Sequence, residues 1–414
     1  MKKMSIYKRI AQSFLIGVAV CLGYTACEEY PDAFEATNGA PEVVYVRITD
    51  VASADSLLDG AFLGNTICLV GNNLRSVHEI YFNDQKAILN TGFITDHTLI
   101  VVVPKGIPEK VTNKIYLITA KQDTIVYPPA FSGEFITKVP APVLNSISCE
   151  YIADGEEGIL HGDYFIDDPD EPLEVVMSGN IPVTDIISIE KTQIRFRVPE
   201  GAQKGFINVT TLYGTGRSHF QFRDDRGIIL NWDNLNAAGG WRAGNLAEAN
   251  GISGKYVVFK GDLDNGDWNE DGFSFNLWGN ANGRPKEDLL DASNLSSLQL
   301  KFEINIQGAW SCDAMQFVFT PWSTSGTNSY YSDNTLGRAL WIPWATTGSY
   351  ETNGWITVSI PMSNFKYTGS GAASSAPEAG GYGGLSIFVW NGGVEGKACS
   401  PTMWLDNIRV VPIE

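Results

Sequence analysis

The chain has 414 residues, of which 44% are hydrophobic and 18% charged, a balance that excludes a largely disordered protein. Its 47 acidic and 29 basic residues give a formal net charge of −18, so phosphate backbones are repelled and nucleic acid is not a predicted partner. The length predicts two to four domains, and 42 glycines with 11 Trp, 16 Tyr and 20 Phe favour strands and tight turns over helices.

The first 26 residues have the pattern of a secretory signal. Residues 1–9 contain four basic side chains and no acid, residues 14–24 are apolar, and Thr25 and Ala26 precede Cys27. The apolar run is short for a membrane span. A bacterial lipoprotein signal is cut just before a Cys that is then lipidated, so we predict lipidation at Cys27. An ordinary signal followed by a chance Cys is the alternative, since Tyr24 stands where Leu is usual.

The other cysteines show no CxxC spacing, so neither a zinc site nor a thioredoxin-like motif is predicted. Cys68 lies in an apolar run and is expected to be a buried thiol. Cys312 and Cys399 fall in one predicted domain, where the pair is able to form a disulfide outside the cytoplasm. The sequence leaves that pairing open.

Composition divides the rest of the chain into two kinds of module. All 11 Trp lie between Trp232 and Trp404, and all four His lie before residue 220. The His-containing part carries a weak internal repeat, in which a Pro, an apolar-Gly turn and a strand ending in Val-Pro follow one another. We therefore predict an acidic tether at 27–40, small sandwich domains at 41–138 and 139–223, and a Trp-rich domain at 224–414.

The Trp-rich domain alternates between apolar and polar residues, as half-buried strands do. Residues 273–278, Leu298–Gln307, 315–322 and 356–362 all show this period of two. With little sign of helix, the pattern predicts one large β-sandwich of jelly-roll type.

Several Trp in this domain share a strand face with polar side chains. Trp278 alternates with Ser274 and Asn276, and Trp322 with Gln316 and Thr320. An indole on a wet face exposes apolar area that the C–H face of a sugar ring can cover, while nearby amides bond its hydroxyls. The predicted glycan-binding residues are Trp278, Trp310, Trp322, Arg338, Trp341, Trp344 and Asn276. For each Trp a place in the core is the alternative.

The sequence gives little support for catalysis or metal binding. Glu303, Asp313 and Asp406 have no spacing that marks a catalytic pair, and the Trp-rich domain has no His for a Ser-His-Asp triad. The acidic run 262–271 resembles half of a calcium loop, but Trp278 stands where the closing Glu belongs. A structural calcium there is an alternative to a solvated turn; no catalytic residue, metal or cofactor is predicted.

Two family resemblances follow from these motifs. The apolar-Gly turns and Val-Pro strand ends at 41–138 and 139–223 resemble IPT/TIG immunoglobulin-like domains. The segments 354–361 and 404–411 are similar to carbohydrate-binding jelly rolls. With an acidic stretch at 28–32 after Cys27, the whole arrangement resembles the surface glycan-binding lipoproteins of Bacteroidota polysaccharide-utilisation loci, of the SGBP-B type.

The resemblance implies an all-β chain of tandem immunoglobulin-like spacers and a C-terminal domain that binds a plant β-glycan, with xyloglucan first. It implies a lipid anchor in the outer membrane facing the cell exterior, and as partners a TonB-dependent transporter complex and a surface endo-glycanase. Two alternatives stay open: a surface glycoside hydrolase, and an adhesin that binds protein through its IPT-like domains.

Overall fold

The computed structural model of the chain describes residues 39–53, 55–129, 132–233, 246–247, 249–279, 286–325, 333–378 and 381–414. The predicted signal peptide, Cys27, most of the tether and Trp241 lie outside the described residues. Among the helices that are described, none has the length and apolar character to cross a membrane. The chain forms two compact units, the first ending at Pro140 and the second running from Ala141 to Glu414.

The described part of the first unit contains nine strands. They are β1 (Glu42–Ile48), β2 (Gly60–Phe62), β3 (Thr66–Asn72), β4 (Val77–Phe82), β5 (Gln85–Ala87), β6 (Thr98–Val102), β7 (Ile115–Thr119), β8 (Thr124–Tyr127) and β9 (Ile136–Lys138). Sheets of order β1-β3-β6 and β5-β4-β7-β8 enclose one apolar core, and β2 pairs with β9 in parallel.

The second unit opens with a sandwich of eight short strands, here called the small sandwich. Its strands are β10 (Val143–Ile147), β11 (Glu157–Asp163), β12 (Glu174–Met177), β13 (Ile181–Pro182), β14 (Ile186–Glu190), β15 (Gln193–Arg197), β16 (Asn208–Thr211) and β17 (Gly214–Arg217). They form the sheets β10-β11-β15-β14 and β13-β12-β16-β17. Leu160, Ile194 and Phe196 lie in the core between them.

The remainder of the second unit is the large sandwich. Its strands are β18 (Ile228–Leu230), β19 (Leu246–Ala247), β20 (Tyr256–Lys260), β21 (Ser274–Leu277), β22 (Leu298–Gln307), β23 (Ala314–Pro321), β24 (Ala339–Trp341), β25 (Ile356–Pro361), β26 (Tyr382–Trp390) and β27 (Thr402–Pro412). One sheet has the order β19-β20-β27-β22-β25, with β18 also paired to β27, and the other has the order β21-β26-β23-β24.

The described helices are short 3₁₀ segments in both units. They are Val51–Ser53, Leu74–Ser76, Thr91–Phe93, Ala292–Ser297, Pro343–Ala345 and Met362–Asn364. Two of them begin after a side chain that accepts a backbone N–H, Asn90 from Gly92 and Asp291 from Ser293. The all-β prediction is confirmed.

Alternation in the sequence assigns the inner face of the large sandwich correctly. Phe275 and Leu277 of β21 meet Phe302 of β22 and Phe317 of β23 in one apolar cluster. Side chains of this size each remove a large apolar area from water, about 1.5–3 kcal/mol when fully buried. The two sheets therefore have defined outer faces, and these differ in what covers them.

The outer face of the six-stranded sheet packs against the small sandwich. Lys301 and Glu303 of β22 point outward as predicted, yet they are 4% and 0% exposed because Glu150 and its neighbours cover them. The four-stranded sheet β21-β26-β23-β24 lies on the opposite side of the core. Its outer face carries Asn276 and Gln316, with Trp278 and Trp322 at one end.

Candidate functional site

Polar side chains line the centre of the outer face of the sheet β21-β26-β23-β24. Asn276 lies opposite Ser386 in the strand register, and Gln316 lies opposite Phe388. Asn276, Gln316 and Thr320 are buried, as are Val318 and Phe388 between them. These side chains form a buried layer beneath the accessible surface of this face. The aromatic side chains with accessible surface lie at its two ends.

Trp322 lies at one end of this face, immediately after β23, and its side chain is half-buried. Its indole N–H donates to Asp288 Oδ1 over 2.6 Å, and Lys286 Nζ lies 5.5 Å from its ring centroid. The ring packs directly on the backbone of Gly383 and Gly279, where a Cβ would overlap it. These contacts fix the orientation of the indole, on which a sugar ring can stack.

Trp278 follows β21 at the same end of the sheet and is also half-buried. Its neighbour Gly279 contacts the Trp322 ring, so the two predicted residues lie at the same end of the sheet. Beside them, Pro321, Glu378 and Tyr382 help to line a cleft of about 420 Å³. We call Trp278, Trp322, Lys286 and Asp288 the Trp322 patch. It combines aromatic faces with charged hydrogen-bonding groups, as glycan sites do.

The opposite end of the face carries a second aromatic pair that sequence reasoning missed. Trp268 is 38% exposed and meets Phe388 and Trp390 edge-on, at centroid distances of 5.5 and 6.1 Å. Trp390 is half-buried and donates its indole N–H to Gly266 O over 3.0 Å. Trp268 stands in the acidic run, whose sequence has no alternation that would indicate the direction of its side chain. Alternation along β26, which puts Trp390 on one face with Ser386 and Phe388, is the signal that could have found the pair.

Trp268 also lines a cleft of about 820 Å³ with acidic and polar neighbours, which we call the Trp268 cleft. Its walls come from Asp262, Leu263, Asp264, Asp267, Asn269, Glu270, Asp271, Ala398, Cys399 and Ser400. In the part of the chain that the structure describes, no group of three His, Cys, Asp or Glu side chains is arranged to hold a metal ion. Carboxylates beside an exposed indole are suited to accept hydrogen bonds from sugar hydroxyls.

Trp310 and Trp344 are corrections to the predicted site, because both are buried. Trp310 is 0% exposed and donates its indole N–H to Cys312 O over 2.6 Å. Trp344 is 3% exposed and donates to Asp313 O over 2.9 Å. Both lie outside the regular strands, where alternation does not report the direction of a side chain. Their N–H groups are satisfied by backbone carbonyls, so they fill the core instead of facing a ligand.

Trp341 and Arg338 also differ from the prediction. The half-buried Trp341 ring has its centroid 5.7 Å from that of Phe302 and 5.5 Å from that of Trp310. It therefore packs at the edge of the core instead of exposing its face to a ligand. Arg338 is fully buried, and its guanidinium donates to Gln316 Oε1 and to Asp333 O, each over 3.2 Å. Asn276 is 1% exposed as well. Arg338 and Asn276 belong to the layer beneath the accessible surface.

The three carboxylates named as catalytic candidates are fully buried. Glu303 is held by Arg409 at 2.8 Å, and burial raises its pKa. Burial also raises the pKa of Asp313 to about 6 and that of Asp406 to about 8. Each of these three side chains is 0% exposed, whereas a glycosidase pair must face the scissile bond of its substrate.

Comparison with known proteins gives one family and two informative relatives. The family model described as the surface glycan-binding protein B xyloglucan binding domain matches residues 222–412. The crystal structure of the surface glycan-binding protein PbSGBP-B from Prevotella bryantii is 35% identical, with a TM-score of 0.76. That match covers 91% of this chain and 99% of the other.

An IPT/TIG domain-containing protein of Bacteroides ovatus is 29% identical over 185 residues, which are 44% of this chain. The matched part spans only about a third of that relative, 36% of its length.

Proposed function

The chain belongs to the surface glycan-binding protein B family, and from that premise we propose that it captures a neutral plant β-glycan without cleaving it, with xyloglucan the first candidate. The family is defined by glycan binding at the cell surface, and the model that matches residues 222–412 bears the name of xyloglucan. That name is what supports xyloglucan over other flat β-linked glucans and mannans.

The observation that carries this proposal is the Trp322 patch. Trp322 is oriented by Asp288 and lies on Gly383, close to Trp278. A pre-oriented indole loses little side-chain entropy on binding, which is why aromatic anchors dominate many interfaces. Asp288 and Lys286 are exposed beside it and are available to a sugar's hydroxyl groups.

Charge favours a neutral ligand. The chain has a net charge of −18, and acidic residues line the Trp268 cleft. A polymer of uronic acids or sulfated sugars would be repelled by this surface, whereas neutral hexose and pentose chains would not. Binding should therefore depend only weakly on salt.

We further propose the finer features of location and assembly. Lipidation at Cys27 would anchor the chain in the outer membrane, facing out. The IPT-like domains at 41–138 and 139–223 would act as spacers below the glycan-binding domain at 224–414. A TonB-dependent transporter complex and a surface endo-glycanase would receive the captured chain.

Affinity electrophoresis in gels that contain single polysaccharides tests the proposal, with product analysis on the same samples. We expect one class of neutral β-glycan to retard the protein without releasing new chain ends. Trp322→Ala should strongly reduce the retardation, while Phe93→Ala, which removes an aromatic ring 57% exposed in the first unit, should not. New chain ends would make the protein a hydrolase, and unchanged retardation of a folded Trp322→Ala variant would remove the patch from the site.

A protein-docking role is the second candidate, and the surface of the first unit favours it. Large apolar side chains stand exposed there, among them Leu57 at 66%, Ile88 at 91% and Phe93 at 57%. Exposed apolar groups of this kind mark interaction surfaces when they cluster. Binding to a protein that survives Trp322→Ala but is lost in Phe93→Ala would support this role.

A further inference from the structure

Two cysteines of the large sandwich lie in contact. Cys312 Sγ and Cys399 Sγ are 3.6 Å apart, although the residues are 87 positions apart in the sequence. Cys312 is fully buried just before β23, and Cys399 is partly exposed just before β27. A disulfide bond needs about 2.05 Å between the sulfur atoms, so these two atoms must approach each other by about 1.5 Å for the bond to form.

The surroundings of the pair favour reaction at Cys399. The hydrogen bond from Cys312 lowers the pKa of the Cys399 thiol to about 6, while the same bond raises the pKa of Cys312. The backbone N–H of Ser311 also donates to Cys399 Sγ, over 3.4 Å. The more accessible of the two sulfurs is thus the one that forms a thiolate, which is the attacking species in thiol-disulfide exchange.

We propose that Cys312 and Cys399 form a disulfide bond once the chain has left the cytoplasm, and that this bond holds in place the loop that carries Trp268. A surface protein passes through a compartment where disulfides form and persist. The remaining described cysteines, Cys68 and Cys149, are buried in other cores and take no part.

The chemistry balances with a disulfide of the envelope's exchange proteins as oxidant. The Cys399 thiolate attacks one sulfur of that disulfide and displaces the other as a thiolate, giving a mixed disulfide. Cys312 then loses its proton and attacks Cys399 Sγ, which forms the internal bond and releases the exchange protein as a dithiol. Two electrons and two protons pass from this chain to the exchange protein.

Backbone hydrogen bonds connect the sulfur pair to the Trp268 cleft. Leu263 N–H donates to Cys399 O over 2.8 Å, and Cys399 N–H donates to Leu263 O over 3.0 Å. Leu263 begins the loop that continues to Trp268, and Cys399 itself lines the cleft. A covalent tie from Cys399 to Cys312 at the start of β23 therefore restrains one wall of the cleft. This second part rests on the proposed function.

Peptide mapping tests the bond itself. The full chain, produced in an oxidising compartment or treated with oxidised glutathione, is alkylated without reduction and digested. We expect the peptides that contain Cys312 and Cys399 to be recovered linked, with Cys68 and Cys149 unlinked. Recovery of both peptides separately and alkylated after oxidation would overturn the proposal. Neither result depends on glycan binding.

Thermal unfolding and affinity measurements test whether the disulfide bond holds the Trp268 loop in place. The Cys312→Ser/Cys399→Ser variant should melt several degrees below the oxidised wild type and should equal the reduced wild type. Cys68→Ser keeps the pair, so its melting temperature should fall on reduction as that of the wild type does. For the proposed ligand xyloglucan, reduction should weaken binding a few-fold in the wild type and in Cys68→Ser but not in the double variant. Equal affinity of the oxidised and reduced wild type would refute the proposal that the bond holds the Trp268 loop in place. Loss of binding by all forms would instead count against the proposed function.

Discussion

Arg409 and Glu150 form an ion pair of 2.7 Å between the large and the small sandwich, and both side chains are buried. Arg409 also holds Glu303 at 2.8 Å, while Lys301 binds the other oxygen of Glu150 at 2.5 Å. Two cations and two carboxylates thus neutralise one another in the junction. Because each charge depends on its partners for solvation, the network favours one arrangement of the two sandwiches.

Glu150→Gln should destabilise the second unit by about 3–5 kcal/mol, since Lys301 would keep its buried charge without the carboxylate that neutralises it. The shift of the urea midpoint measures the effect. Glu157→Gln is the matched control, because the Arg195–Glu157 pair is 44% and 34% exposed and should contribute less than about 1 kcal/mol. Equal midpoints for the two variants would show that the junction network adds nothing.

Asp406 should make the protein less stable as the pH rises. Burial raises its pKa to about 8 from an ordinary value of 3.8, so the folded chain holds a proton that the unfolded chain releases between these values. The favourable contribution is complete below about pH 4 and is lost as the pH approaches 8.

Asp406→Asn isolates this effect, because the amide keeps the contacts to Asn407 N–H and to the Ser253 hydroxyl. Between pH 5 and 8, about the window of the shift, its free energy of unfolding should fall less steeply than that of the wild type. Chemical unfolding at several pH values measures both slopes. Parallel slopes would mean that Asp406 is ionised in the folded protein.

Trp341→Ala and Trp322→Ala should separate stability from binding. Trp341 packs on Phe302, Trp310 and Tyr350, so its loss should cost about 3–5 kcal/mol of stability and confuse any binding assay. Trp322→Ala should lower the stability by only about 1–2 kcal/mol, because the side chain is half-buried at the end of the sheet. The same substitution should weaken glycan binding about tenfold or more.

Thermal melts and calorimetric titration on both variants check these values. Trp322→Phe keeps an aromatic plate and loses the donor to Asp288, so it should retain part of the affinity. If Trp341→Ala remains stable and loses binding while Trp322→Ala binds normally, the site has been placed at the wrong edge of the sheet.

Alternation predicted the strands of the large sandwich and the inward face of each, because one side of every strand must meet the core. It failed for Trp310 and Trp344, which lie beyond the strand ends, where a period of two does not give the direction of a side chain. It also could not show that Lys301 and Glu303, although outward, are covered by the small sandwich. Which outer face stays open depends on contacts between domains, and a single strand pattern does not encode them.

Trp268→Ala should distinguish long ligands from short ones. The two aromatic patches lie at opposite ends of β26, which has nine residues, or about 30 Å at 3.3 Å per residue. An oligosaccharide that fits the Trp322 patch alone should bind the variant as it binds the wild type, whereas a long chain that also reaches Trp268 should bind more weakly. The same loss for both ligand lengths would place Trp268 in a single compact site.

Gly383→Ala should weaken binding without removing any aromatic group. A Cβ at this position would overlap the Trp322 ring, and Gly383 lies in β26 beneath it, so the indole must tilt away. Because the Trp322 ring would no longer be held in the orientation for stacking, the affinity for the glycan should fall several-fold. Gly92→Ala in the first unit is the control, since its Cβ would meet only Asn90 Oδ1, at 3.3 Å. Titration of both variants makes the measurement, and comparison of their Trp fluorescence with that of the wild type and of Trp322→Ala isolates the signal of Trp322 among the 11 Trp. Full affinity in Gly383→Ala, together with an altered Trp322 signal, would show that the ligand does not depend on the orientation of this ring.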